Sequence, residues 1–140
     1  MLKLDNQLCF ALYACSREIT KLYKPHLDEL GLTYTQYITL LVLWEQDNIK
    51  IKTLGNILHL DSGTLTPLLN KLEKVDIVKR IKDKDDERNV FVKLTDKGIA
   101  MKEKAKDIPA KVFCSRDLSV EQAVDLREQL KSLLSRLENK

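Results

Sequence analysis

The sequence has few residues that interrupt regular secondary structure. Its 140 residues include four glycines and three prolines, which favours long, uninterrupted elements. The longest apolar run, YITLLVLW, is too short to span a bilayer, and no signal peptide opens the chain. We therefore expect a cytoplasmic protein without a membrane partner.

Cysteine and histidine are also scarce. The three cysteines contain no Cys-x-x-Cys pair, and the two histidines, His26 and His59, are isolated. This pattern is neither a disulfide scaffold nor a zinc site. The sequence therefore predicts no metal, no cofactor and no catalytic residue, and we assign no chemistry to either histidine.

The net charge of +3 is unevenly distributed. Residues 1–49 carry a net charge of −2, residues 50–106 carry +5, and residues 107–140 are neutral. A basic middle segment suits a polyanion such as DNA, although a charge of this size does not identify the partner.

Apolar periodicity and turn residues predict a mainly α-helical chain with one β-hairpin, folded as a single domain over residues 1–140. Three short helices followed by a hairpin describe a winged helix-turn-helix at about residues 35–95. The hairpin joins two alternating arms through a charged tip, DKDDER. The predicted helices cover residues 5–28, 35–46, a short stretch before 61, 61–75, 96–112 and 119–138.

The first and last helices carry narrow apolar stripes. These stripes contain more apolar residues than a helix needs in order to pack on one face of a globular domain. Either the helices pack on each other in one bundle, or they pair with the same helices of a second chain. In the second case residues 5–28 and 96–138 form a homodimer interface.

The fourth predicted helix has a polar row opposite its leucines. Ser62, Thr66, Asn70 and Lys74 recur at steps of four. Small hydroxyls, an amide and a cation on one face can bond phosphate oxygens and base edges in a major groove. The alternative is an ordinary solvated face. The hairpin favours DNA, because its tip is too charged to pack and its basic side chains can reach a phosphate backbone.

The stretch LDSGTLTPLLNKLEKVDIVKRIKDKDDERNVFVKLTDKG resembles the recognition helix and wing of the MarR family of bacterial transcription regulators. The resemblance implies a homodimer on palindromic double-stranded operator DNA, with Arg88 in the minor groove and Asp86 holding it in place. The predicted DNA-contact residues are Ser62, Thr64, Thr66, Pro67, Asn70, Lys71, Lys74, Arg80, Asp86 and Arg88.

The stretch NQLCFALYACSREITKLYKPHLDELGLTYTQYITLLVLWE is similar to the organic-hydroperoxide-sensing OhrR subgroup of that family and to its staphylococcal-type relatives. The resemblance implies that Cys9 is the peroxide-oxidised cysteine and that Tyr13, Tyr23 and Tyr34 support its thiolate. Tyrosine hydroxyls can favour a thiolate by donating hydrogen bonds. Tyr23 lies roughly 21 Å from Cys9 along a straight helix. The resemblance accordingly implies that tyrosines of a second subunit complete the site.

The other two cysteines have different predicted roles. Cys15 lies on the leucine stripe and is expected to pack, with a redox role as the alternative. The resemblance to two-cysteine members of the subgroup implies that Cys114 of the other subunit resolves the oxidised Cys9 as a disulfide. The alternative is an incidental surface thiol.

These observations predict a redox-sensing transcriptional repressor that is released from operator DNA when an organic hydroperoxide or related oxidant oxidises Cys9. Oxidation would end in a Cys9–Cys114 intersubunit disulfide or in a mixed disulfide. Two alternatives stay open. A small phenolic ligand could control the same DNA-binding fold, or the chain could be a thiol peroxidase, which would leave the winged helix unexplained.

Overall fold

The computed structural model describes residues 2–113 and 118–139, in two compact units of residues 1–108 and 109–140. The described residues are mostly helical, with one small antiparallel sheet in the first unit. This confirms the predicted mainly α-helical fold with a β-hairpin.

The first unit begins with a 3-10 turn, Leu4–Asn6, and a long helix α1, Leu8–Asp28. Gly31 has φ +70, and the Leu32 N–H donates to the Leu27 carbonyl at 3.0 Å. A left-handed glycine of this kind commonly closes a helix, so the predicted stop at Gly31 is confirmed.

A capping box starts the second helix, α2, Tyr34–Glu45. The Thr33 hydroxyl accepts from the Gln36 N–H, and the Gln36 side chain accepts from the Thr33 N–H. These reciprocal bonds satisfy donors that the first helical turn leaves unpaired.

The helix-turn-helix consists of α3, Ile51–Leu58, and α4, Ser62–Lys74. Asp61 caps α4, because its Oδ1 accepts from the Thr64 N–H at 2.8 Å. The apolar face predicted for α4 is confirmed by four buried side chains: Leu65, Leu68, Leu69 and Leu72.

The sheet has three strands: β1, Ile49–Lys50; β2, Val78–Lys82; and β3, Val90–Leu94. The strand order is β1-β3-β2, and both pairings are antiparallel. The hairpin was predicted, but β1 was not. A strand of two residues is too short to show the alternation of apolar and polar residues by which strands are predicted. It forms because Ile49 pairs with Val92 at the free edge of β3, and both side chains are buried there.

The single helix predicted over residues 96–112 is wrong. The chain instead forms α5, Asp96–Ala105, and α6, Ile108–Phe113. Pro109 explains the break: it has no N–H to donate to the Ala105 carbonyl, and its ring would clash with that carbonyl in a continuous helix. Thr95 caps α5 as predicted.

The core of the first unit joins the helices to one face of the sheet. Leu40 and Leu43 of α2, Leu54 of α3 and Val92 of β3 are fully buried. The Trp44 indole N–H also donates to the Gly98 carbonyl at 2.9 Å, which fastens α2 to the start of α5.

The second unit contains α7, Val120–Glu138, capped by Ser119 and Gln122. With the end of α6 it forms an apolar cleft of about 530 Å³. None of the side chains of α7 is buried, and six of its apolar residues are exposed: Val120, Val124, Leu126, Leu130, Leu134 and Leu137. None of the helices in the described part of the chain is both long and apolar enough to cross a membrane.

Candidate functional site

The outer face of α4 presents most of the predicted DNA-contact side chains to solvent. Asn70 is half-buried, and the exposed members are Ser62, Thr64, Thr66, Pro67, Lys71 and Lys74. They lie opposite the buried leucines, so the face that the core leaves free is the polar one. Pro67 is the sixth residue of α4, so it leaves the Gly63 carbonyl without its helical N–H donor, at some cost to the helix.

The wing tip holds Arg88 through Asp86. Asp86 Oδ1 accepts from the Arg88 N–H at 3.1 Å and from Nε at 3.0 Å, and Oδ2 accepts from Nη2 at 3.0 Å. These bonds from Arg88 lower the pKa of Asp86. The Arg88 side chain is nevertheless 90% exposed. The expected acid–arginine pair is therefore present, and it orients a guanidinium that still faces solvent.

Arg80 has a partner that the sequence did not indicate. Glu73 Oε2 accepts from the Arg80 N–H at 3.0 Å, and Glu73 Oε1 accepts from Nη2 at 2.9 Å. These hydrogen bonds lower the pKa of Glu73. Arg80 was expected to reach DNA, yet its guanidinium is half-buried and fastens β2 to the end of α4. The contact depends on how α4 and β2 pack against each other, which the sequence alone does not show.

The start of α5 holds the turn that follows α4. The Thr95 hydroxyl donates to the Ile77 carbonyl at 3.1 Å, and Lys97 Nζ donates to the Val75 carbonyl at 2.8 Å. A Cβ at Gly98 would collide with the Ile77 carbonyl oxygen. The turn that follows the proposed recognition helix is therefore packed directly against the start of α5.

Cys9 lies in the first turn of α1 and is exposed. Tyr13 follows one turn later, and its hydroxyl accepts from Arg17 Nη1 at 3.3 Å. The Arg17 guanidinium carbon also lies 5.5 Å from the centre of the Tyr13 ring. Arg17 was not predicted as part of the site, although it follows Tyr13 by four residues and Cys9 by eight.

Tyr23 and Tyr34 belong to a cluster of three rings. Their centroids are 5.2 Å apart, and the Tyr37 ring lies 5.6 Å from Tyr23 and 6.2 Å from Tyr34. Burial, with the neighbouring Tyr37 and Tyr34, raises the pKa of Tyr23 to about 12. Burial also raises the pKa of Tyr34 and Tyr37. All three hydroxyls therefore keep their protons at neutral pH. Tyr37 was overlooked because it sits in the apolar run of α2.

The described chain does not bring Cys9 and this cluster together. Both Cys9 and Tyr23 lie on α1, fourteen residues apart, which corresponds to roughly 21 Å along the helix axis. Cys15 is exposed rather than packed within the chain. The prediction for Cys114 lies outside the described residues.

An apolar row runs along one face of α1. Its exposed side chains are Leu8, Leu12 and Ile19, at steps of four and seven residues. No group of three His, Cys, Asp or Glu side chains suited to a metal ion occurs within residues 2–113 and 118–139.

The geometry defines a class: a winged helix-turn-helix with an exposed polar face on its second helix and an oriented arginine at its wing. A family model described as transcriptional regulator SarA/Rot matches residues 21–108. The chain is also 48% identical over 139 residues to the organic hydroperoxide resistance transcriptional regulator of Bacillus subtilis strain 168, across 99% of this chain and 95% of the relative.

Solved structures agree with these matches. A structure of reduced AbfR bound to DNA is 35% identical, has a TM-score of 0.80, and covers 96% of this chain and 93% of that one; AbfR is a protein of Staphylococcus epidermidis. A mutant of MarR from Escherichia coli, complexed with operator DNA, is 25% identical with a TM-score of 0.79, covering 91% and 93%. The chain belongs to the SarA/Rot family of transcriptional regulators and is a MarR-type regulator of the OhrR-like kind.

Two further AbfR structures differ in redox state. Overoxidised AbfR bound to DNA is 36% identical with a TM-score of 0.80, covering 96% of this chain and 94% of that one. Disulfide-formed AbfR is 34% identical with a TM-score of 0.66, covering 98% and 93%.

Proposed function

We propose that the protein is a redox-sensing, DNA-binding repressor that acts as a homodimer and leaves its operator when an organic hydroperoxide or related oxidant oxidises Cys9. The observation that carries this proposal is that the thiol and the tyrosines of the proposed sensor lie far apart within one chain. The exposed Cys9 thiol lies at one end of the helix, and the cluster of Tyr23, Tyr34 and Tyr37 lies at the other.

The apolar surface of α1 supports the homodimer. Leu8 is 64% exposed, and Leu12 and Ile19 are each 37% exposed. A continuous apolar surface is unfavourable in water and commonly marks an interface. Two α1 helices that pack in opposite directions would cover this surface and would bring each Cys9 to the tyrosine cluster of the other chain.

The DNA-binding role rests on the free face of α4 and on Arg88. In a two-fold dimer the two α4 helices would enter successive major grooves of a palindromic site, and each Arg88 would enter an adjacent minor groove. Ser62, Thr66 and Asn70 would contact bases or phosphates, while Asp86 would hold Arg88 in position.

The proposed chemistry is thiol oxidation followed by disulfide formation. The Cys9 thiolate attacks the peroxide, forming a sulfenic acid and releasing the alcohol. The Cys114 thiol of the second chain then attacks the sulfenic sulfur, forming a disulfide and releasing water; a small thiol would give a mixed disulfide instead. Protonated tyrosine hydroxyls would donate hydrogen bonds to the Cys9 thiolate and favour its charged form.

The AbfR structures support a disulfide as the releasing product. Overoxidised AbfR is bound to DNA, so in that protein the addition of oxygen is compatible with binding. Its disulfide form matches this chain with a TM-score of 0.66, against 0.80 for the reduced, DNA-bound form at nearly the same identity. The disulfide form of AbfR is thus less similar to this chain than the reduced, DNA-bound form is.

The test uses a DNA duplex that the reduced wild-type protein selects from a randomised pool. Fluorescence anisotropy then follows release of the duplex when cumene hydroperoxide is added. We expect wild type and Cys15→Ser to release DNA and Cys9→Ser to stay bound. Cys15→Ser is the matched control, because it removes another exposed thiol from the same helix.

Release by Cys9→Ser at the wild-type rate would disprove the role of Cys9. Release of that variant by added phenol would instead favour control by a phenolic ligand. Catalytic consumption of peroxide with thioredoxin, without DNA binding, would favour a thiol peroxidase. Cys114→Ser should form no intersubunit disulfide on a non-reducing gel, and retained dimer cross-linking would exclude its resolving role.

A further inference from the structure

A cleft of about 410 Å³ lies between α3, the start of α4 and the part of the wing formed by Arg88, Asn89 and Val90. We propose that this cleft binds the sugar–phosphate backbone of operator DNA, with Lys50 and Lys52 as phosphate ligands outside the recognition helix. The inference rests on the DNA binding proposed above, but it assigns residues that neither the periodicity nor the wing pattern had marked.

The lining of the cleft combines cations with an apolar floor. Lys50, Lys52 and Arg88 contribute positive charge, and Asn56 and Asn89 contribute amides. The apolar part of the lining is Ile51, Leu60, Leu65 and Val90. A DNA strand alternates anionic phosphates with largely apolar deoxyribose rings, so cations at the rim and aliphatic side chains at the floor complement both parts.

The acids next to the cleft are already engaged. Asp61 belongs to the lining, but its Oδ1 accepts the capping hydrogen bond from the Thr64 N–H. Asp86 is bonded to Arg88 through both carboxylate oxygens. The two lysines of the cleft are exposed. Their ammonium groups can therefore reach a phosphate.

Lys50 is held in place by the sheet. It is the second residue of β1 and pairs with Phe91 of β3, so its backbone position follows the wing. Its positive charge also helps to lower the pKa of Asp86, after the hydrogen bonds from Arg88. Lys50 and Arg88 line the same cleft, so both can contact one strand.

The geometry of a winged helix on DNA points to the same occupant. If α4 enters a major groove and Arg88 enters the neighbouring minor groove, the sugar–phosphate strand that separates the two grooves must cross the space between them. The cleft occupies that space, because both the first residues of α4 and Arg88 line it. A backbone segment is the part of DNA that this position can reach.

The test measures DNA affinity against salt concentration for the full chain, with the selected duplex and with a scrambled duplex of the same length. Lys50→Gln/Lys52→Gln should weaken binding to both duplexes by the same factor, because phosphates carry no sequence information. It should also reduce the slope of log affinity against log salt by about one for each phosphate that the variant no longer neutralises. Lys102→Gln, an exposed lysine of α5, is the control for charge loss alone.

Three outcomes would overturn the inference. The double variant could keep the wild-type slope while Arg88→Ala reduces it, the weakening could be confined to the selected duplex, or Lys102→Gln could have an equal effect per charge. Absence of any duplex binding by the reduced wild type would instead remove the proposed function itself. The thermal unfolding midpoint of the double variant should match wild type, since both side chains are exposed.

Discussion

Glu73, near the end of α4, accepts two hydrogen bonds from Arg80 of β2, one from the backbone N–H and one from the guanidinium. The pair connects the proposed recognition helix to the wing without passing through the turn between them. The two elements that would contact DNA are therefore held at a set distance from each other before any DNA binds.

The Glu73–Arg80 pair should matter for both stability and binding. We expect Glu73→Ala to lower the free energy of unfolding by about 1 kcal/mol, because both hydrogen bonds are removed from a partly exposed pair. DNA affinity should fall as well, since the wing loses its anchor. Chemical denaturation and anisotropy measure the two effects. Glu18→Ala breaks an exposed pair with Lys21 and should change neither quantity; equal behaviour of the two variants would contradict this role.

For the Asp86–Arg88 pair we expect a change in DNA affinity opposite to the change that charge attraction alone would give. Asp86→Ala removes a negative charge from the wing, which on electrostatic grounds alone would strengthen DNA binding. We expect affinity to fall instead, by about tenfold or more, because Arg88 is no longer oriented by hydrogen bonds to both carboxylate oxygens. The salt dependence should stay near wild type, since Arg88 keeps its charge.

The control for this experiment is Asp85→Ala. Asp85 is exposed and its carboxylate makes no contact with Arg88, which bonds Asp86. Stronger binding by both variants would show that Asp86 acts through charge alone.

Gly98 should tolerate no side chain. A Cβ there would collide with the Ile77 carbonyl, and the Gly98 carbonyl must also stay in place to accept from Trp44. We expect Gly98→Ala to lower the free energy of unfolding by about 1–3 kcal/mol. Gly63→Ala is the matched control, because its Cβ would meet Asp61 Oδ1 at an ordinary 3.5 Å. Similar unfolding free energies for the two variants would disprove the steric argument.

The tyrosine cluster predicts a loss of stability at high pH. The folded chain holds the pKa of Tyr23 at about 12, above its ordinary value of 10.0. The stability that Tyr23 contributes is complete at pH values below its ordinary pKa and is lost as the pH rises towards 12. The reason is that Tyr23 releases its proton at a lower pH in the unfolded chain than in the folded chain. The unfolding midpoint of wild type should therefore fall over this range. Tyr23→Phe should show a shallower fall; an unchanged slope would contradict the assignment.

The apolar surface of α1 predicts a specific effect on assembly. Leu12→Glu should shift the protein from dimer towards monomer in sedimentation equilibrium, because it places a charge on the proposed interface. Ile57→Glu replaces an exposed apolar side chain of α3, 46% accessible, and should leave the dimer intact. A concentration-dependent melting temperature of wild type would support the same interface, whereas a monomeric wild type would exclude it.

The parts of the fold that follow from local pattern could be predicted from the sequence. The leucines of α4, the glycine stop at Gly31 and the charged wing tip each carry their signal within a few residues. Pro109 also carried a local signal for the break between α5 and α6, although a single helix was predicted across it.

The rest depends on contacts between distant residues. The strand β1 exists only because β3 offers an edge to Ile49, and Glu73 meets Arg80 only after α4 and β2 have packed together. Tyr37 was overlooked because, within one apolar run, the sequence does not distinguish a core tyrosine from a member of a tyrosine cluster. Predicting these features requires knowing how distant elements pack against each other, and a short stretch of sequence does not contain that information.

The separation of Cys9 from the tyrosine cluster has a genetic consequence under the proposed function. A Cys9→Ser chain and a Tyr23→Phe chain would each form a defective homodimer. When the two assemble together, one sensor carries both lesions and the other carries none. Two alleles that are each defective in sensing would therefore complement each other within the heterodimer, while the Cys9→Ser homodimers formed beside it would stay on the operator and keep the response partial.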